Sequence, residues 1–183
     1  MRYKRWLFLA VFLFVTGLVW GLVTPVDTTG LLAENIVALE ELADFLSPLP
    51  QQTLFMFIFL KNVSVVLISF ALSPFFNLVP TMVLILNGGI LGIVSTLVIQ
   101  EKSLGFLLAG LAPHGIFEIP ALIIGEAAAF SFGTAIMLAV FNKERRKLLL
   151  PHLRQNSRYI AVSIGLLLVA AIIETYLTPL FLG

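Results

Sequence analysis

Long apolar blocks, rather than alternation, dominate this chain. Residues 6–23, 53–72, 78–99 and 159–178 are each nearly free of charge, and a longer apolar block, 104–141, precedes the last of them. A helix rises about 1.5 Å per residue and a bilayer core is about 30 Å thick, so about 20 apolar residues make one crossing. Each of the four shorter blocks therefore predicts a membrane-spanning helix. The first follows Arg2, Lys4 and Arg5, as a signal peptide would, but it is longer than an h-region and Val23-Thr24-Pro25-Val26 is not a small-residue cleavage site. It reads as a retained anchor.

The intervening segments differ in character. Residues 24–53 hold Asp27, Glu34, Glu40, Glu41 and Asp44 with no Lys or Arg, and apolar positions between the acids recur at helical spacing over 31–45. This predicts an amphipathic helix on the outer surface, closed by Pro48 and Pro50. Lacking a basic face, it suits a cap on the bundle better than an anionic-lipid binder. The second block contains Lys61 and Asn62. The third is interrupted by Asn87-Gly88-Gly89, where Gly88 and Gly92 form a GxxxG pair, as Gly17 and Gly21 do in the first.

Charge placement fixes a topology. Nine of the eleven Lys and Arg fall in the N-terminal tail and in 142–158, so the positive-inside rule expects both in the cytoplasm. An even number of crossings must separate them, which leaves 104–141 one net crossing. As one straight helix those residues would reach about 57 Å, well beyond the bilayer core. The expectation is a short piece, 104–112, at the outer face, broken at Pro113, then a tilted span over 114–141. The fold class is thus an all-α integral membrane protein, a single polytopic domain over 1–183. It has about five transmembrane helices, an outer amphipathic helix and a short broken helix before Pro113. This predicts a multi-pass cell-membrane protein with its N-terminus cytoplasmic and its C-terminus outside.

Composition agrees with this picture: 60% of the 183 residues are hydrophobic and 11% charged, more apolar surface than a soluble core of this size could bury. With no Cys, disulfides, thiolate metal sites and Cys nucleophiles are all excluded.

The polar residues inside the spans are the candidate chemistry. Counting inward from the outer helix ends, Asn62 lies roughly 12 Å deep, Glu118 and Glu174 roughly 6 Å, and His114 at the rim. Asn87 and Glu126 fall near the midplane. Asn62, His114, Glu118 and Glu174 therefore converge on the outer half of the membrane, with Lys61 able to neutralise one carboxylate. Lipid penalises each such group left alone, so partners, protonation or water are implied. Glu126 is expected to be protonated or paired with a polar group on a neighbouring span.

His114 and Glu118, four residues apart, share a helix face, and three readings fit them. They form an interhelical hydrogen bond, or a divalent-metal site (Zn or Mn) with His114, Glu118 and Glu174 as ligands, or part of a proton or ion path. Ala121, Gly125, Ala129 and Gly133 recur every fourth residue, a seam for close helix approach within or between protomers, which suggests a homodimer. The basic segment 142–158 fits topology and anionic lipid, with a soluble docking partner as the lesser reading.

Catalytic signatures are absent. HxxxE is not the HExxH of zinc proteases, neither a GxSxG elbow nor a P-loop is present, and no aromatic-rich basic groove supports nucleic-acid binding. A non-enzymatic protein is expected.

The run Leu111-Ala112-Pro113-His114-Gly115-Ile116-Phe117-Glu118-Ile119-Pro120-Ala121, together with Asn87-Gly88-Gly89-Ile90-Leu91-Gly92, Asn62 and Ile172-Ile173-Glu174-Thr175, resembles the stage II sporulation protein M family of small polytopic membrane proteins. The resemblance extends over nearly the whole chain. In sporulating bacteria the namesake anchors and scaffolds a peptidoglycan amidase and a lytic transglycosylase during engulfment, but the family is far wider than spore formers. It implies a scaffold or membrane-organising role with a membrane or cell-envelope protein partner, and it carries over the polar motif Pro113, His114, Gly115 and Glu118. The competing expectation is an ion or small-solute transporter using His114, Glu118 and Glu174.

Overall fold

The computed structural model describes residues 3–25 and 49–177, apart from the side chains of 101 and 109–114. All regular elements among them are helical: α1 (Tyr3–Val23), α2 (Gln51–Leu72), α3 (Leu78–Glu101), α4 (Leu104–Phe141) and α5 (Leu149–Ile172). A 3-10 turn, Lys143–Leu148, joins α4 to α5, and a π turn, Ile173–Leu177, follows α5. Among the described residues, five helices are long and apolar enough to cross a membrane. The expected amphipathic helix over 31–45 lies outside the described residues.

Because lipid is as apolar as a Leu side chain, these helices gain by close packing rather than by hiding from water. The closest packing joins α1 to α3. A Cβ on Gly88 would collide with the carbonyl oxygen of Phe14 and stand 2.9 Å from the amide of Leu18. One on Gly92 would stand 2.5 Å from the Leu18 carbonyl oxygen and 2.7 Å from the Leu22 amide. Gly17 is pressed in the same way against the backbone of Ile85, and Gly21 against that of Gly89. The two GxxxG pairs thus face one another, and α3 continues uninterrupted through Asn87-Gly88-Gly89. Residues of α1 rise in number as their contacts on α3 rise, so the two helices run parallel, as two spans separated by one return crossing must.

The hub is α4, the most buried span, which touches the other four helices. Its small residues Ala121, Ala127, Ala128 and Ala129 are fully buried. A Cβ on Gly125 would meet Val66 Cγ1 at 2.7 Å and Ser163 Oγ at 2.9 Å, and one on Gly133 would collide with Asn77 and Ser73. The seam of Ala121, Gly125, Ala129 and Gly133 is therefore filled from within the same chain, by α2, α5 and the turn after α2. Ser163 Oγ donates to the Ala121 carbonyl (2.7 Å), and Tyr3 Oη donates to that of Ile124 (2.8 Å) while stacking on Tyr159.

Two sequence expectations need correction. The expected break at Pro113 is not there: α4 is one helix of 38 residues that passes through both Pro113 and Pro120. A proline removes one backbone donor and strains the preceding turn, but membrane helices tolerate it where neighbouring helices, side chains or local backbone adjustment re-satisfy the freed groups. The start of α4 is held by Ser103, whose Oγ accepts from the Phe106 amide at 3.1 Å. The last helix likewise begins well before residue 159, where its apolar block starts. α5 starts at Leu149, with Pro151 in its first turn, where a missing amide hydrogen costs nothing.

Candidate functional site

One face of α2 carries Asn62, Val66 and Ser69, with Ser73 next in the same register just past its end. All four are buried, so helical spacing alone turns a polar stripe toward the bundle. At its N-terminal end this stripe borders a half-open cavity of about 540 Å³. Lys61, Asn62, Asn87, Glu118 and Glu174 all line it, among apolar walls that include Phe14, Phe57, Ile90 and Leu91. A recess of about 20 Å³ shares Lys61, Asn62, Asn87 and Glu118 and reaches inward to Leu167, in the packed core.

Each polar group is set by its own element. Asn62 is buried on α2. On α3, Asn87 Nδ2 donates to the Val83 carbonyl one turn back (2.7 Å), which leaves the side-chain oxygen to accept from a guest. Glu118 projects from α4. Glu174 sits in the π turn that closes α5, and the wider turn there changes its angular position from that of an unbroken α-helix. Lys61 is exposed at the border, the one cationic side chain in the lining. The result is a half-open pocket lined by a cation, two carboxyl groups and two amides among apolar walls.

Of the polar residues expected to meet, the structure gathers Asn62, Asn87, Glu118 and Glu174 around this cavity. His114 lies on α4 one turn before Glu118, and its side chain is outside the described set. Glu126 does not line the cavity. It is fully buried where α2 meets α4, and Ser69 Oγ donates to its Oε2, while Oε1 has no hydrogen-bond partner among the described residues. Ser69 is the partner on a neighbouring span that a buried carboxyl requires. Sequence reading missed it, although its place seven residues after Asn62 puts it on the same helix face.

Among the described residues, no three of His, Cys, Asp and Glu stand together as a metal-binding group. Glu118 and Glu174 supply carboxylates alone, a set to which His114 would have to add the imidazole that Zn favours.

Comparison with known proteins agrees with the motif. No solved structure matches this chain. An uncharacterized protein of Methanocaldococcus jannaschii is 33% identical over 113 residues, which cover 61% of this chain and 60% of that protein, less than two thirds of its length. Residues 10–179 match the family described as Stage II sporulation protein M, a stretch that includes all five helices in whole or in large part. The chain therefore belongs to the stage II sporulation protein M family of membrane proteins.

Proposed function

We propose that this protein is a non-enzymatic multi-pass membrane protein whose working part is the polar cavity between α2, α3, α4 and the π turn. The cavity binds a small polar solute, as the first step of ion or solute transport. The observation that carries this reading is the cavity itself, about 540 Å³ with Lys61, Asn62, Asn87, Glu118 and Glu174 in its lining. That volume lies within the range of small-molecule sites, about 300–1,000 Å³, and is far more than a single ion needs.

The lining selects the chemistry of the guest. Two carboxyl groups favour a cationic group, Lys61 favours an anionic one, and the aromatic walls favour a compact organic body. A zwitterion or an organic cation satisfies all three. A divalent ion held by Glu118, Glu174 and His114 is the narrower version of the same site. The scaffold role implied by the family has no comparable feature in its support, and a scaffold would not need the cavity filled.

The test is a thermal-shift panel on purified protein, with amino acids, organic cations, Zn²⁺ and Mn²⁺ added in turn. Binding stabilises the folded state by about 2.7 kcal/mol at a concentration of 100 times Kd, so a true guest raises Tm clearly. Glu118→Gln and Glu174→Gln should each remove the rise. If no class shifts Tm, and both variants are as stable as wild type or more so, the binding reading falls and the scaffold reading takes its place.

A further inference from the structure

A second, smaller cavity lies at the opposite end of the bundle. It measures about 40 Å³ and is bounded by Trp6 of α1, Ser131 and Thr134 of α4, Arg145 of the 3-10 turn, and His152 of α5. We propose that it binds the phosphate group of an anionic phospholipid.

The lining side chains with polar atoms all bear hydrogen-bond donors: a guanidinium, two hydroxyls, an indole and an imidazole. There is no carboxylate among them. Such a set fits an anion and repels none. Residues 142–158 hold six Lys and Arg against Glu144 as the one acid, so the potential around the cavity is positive. Those cations differ in how far they are engaged. Lys147 pairs with Glu144 at 3.5 Å, and Arg146 Nε donates to the Ala139 carbonyl at 3.2 Å, capping the end of α4. Arg145 has no ion pair or side-chain hydrogen bond among the described residues, and it is the cation in the cavity wall. His152 Nδ1 is buried and without a hydrogen-bond partner there, so nothing at that nitrogen fixes the ring against turning toward an acceptor.

A lipid fits better than a free ion because of what surrounds the cavity. Leu138 and Leu148 belong to the wall, Leu148 is half exposed, and nearby Phe141 is 85% exposed, an apolar skirt on which acyl chains can lie. Trp6, stacked on Phe130 (centroids 6.2 Å apart), lies in the first turn of α1, and indoles at the ends of spans favour the headgroup boundary. Basic pockets between spans at the positively charged membrane face are the usual form of a headgroup site. The volume admits one phosphate-sized group and leaves the rest of the lipid outside.

The experiment is native mass spectrometry of the full chain in detergent, titrated with phosphatidylglycerol or phosphatidylcholine, and in a separate arm Tm with sodium phosphate. Wild type should retain phosphatidylglycerol in preference to phosphatidylcholine. Arg145→Gln should weaken that binding about tenfold, the loss expected for one charge-assisted hydrogen bond. Arg154→Gln, exposed and outside the cavity, should leave it unchanged. His152→Ala gives a second reading of the site should Arg145→Gln fold poorly, and it should weaken binding in the same direction. Equal retention of the two lipids overturns the proposal, as does undiminished phosphatidylglycerol binding in both cavity variants. A stabilisation by sodium phosphate equal to that by the lipid assigns the site to a free anion and overturns it too.

Discussion

At Gly88 the absent side chain is what lets α3 lie against α1, because a single carbon there would collide with the Phe14 carbonyl. Backbone atoms cannot turn aside as side chains do, so Gly88→Ala should cost about 1–3 kcal/mol, the range for overpacking. Gly165, with nothing within 4 Å of its would-be Cβ, is the matched control: Gly165→Ala should leave Tm unchanged or raise it. Melting the two variants side by side checks this, and equal losses would show that the α1–α3 contact is not as close as described. The seam position Gly125 is gentler, since Val66 and Ser163 side chains stand in the way there. Even so, Gly125→Leu needs room for a whole side chain and should lower Tm without changing oligomer size, the contact being within one chain. A similar logic applies to Ser69, whose hydroxyl donates to the buried Glu126 carboxyl. Ser69→Ala strands that group and should destabilise by about 1–3 kcal/mol, whereas Ser69→Thr keeps the donor and should lose less. Denaturation midpoints of the three proteins decide it.

Among the helices, α4 shows most clearly which features the sequence displays and which it hides. Span number and order follow from block length, since only helices of about 20 apolar residues both cross the bilayer and satisfy their own backbone. That Asn62, Glu118 and Glu174 line one cavity could be read in outline from the depth count, which put all three in the same half of the membrane. The continuity of α4 could not. Pro113 is a strong breaker in isolation, and only the packing of the finished bundle decides whether the lost hydrogen bond matters. The rotation of each helix was hidden for the same reason: Ser69 facing Glu126, or Arg145 facing Trp6 and His152, depends on which sides meet after folding. The start of α5 was concealed by its own charges, as Arg154 and Arg158 resemble a loop until Pro151 is taken as a first-turn residue. Since α4 already runs through Pro113, Pro113→Ala should leave helical content by circular dichroism unchanged. An increase would mean that the helix is interrupted there.

For the whole molecule, the parallel pairing of α1 with α3 requires one return crossing between them, which agrees with the alternation that the charge distribution predicts. By the positive-inside rule the basic tail and the basic 3-10 turn are then expected on the cytoplasmic side and the α3–α4 turn outside. With no native Cys to interfere, a membrane-impermeant maleimide should modify Lys102→Cys in intact cells and miss Lys147→Cys; the opposite pattern would invert the protein. The same chemistry reaches the central claim, that a water-accessible polar cavity opens into the outer half of the bundle. Asn87 lines that cavity although it is near the middle of α3, while Leu84, one turn earlier on the same helix, is fully buried. Labelling of Asn87→Cys and Leu84→Cys from outside is the most direct measurement. The cavity predicts ready modification at Asn87→Cys, slowed by any solute that raises Tm, and none at Leu84→Cys; equal inertness of the two positions would contradict it.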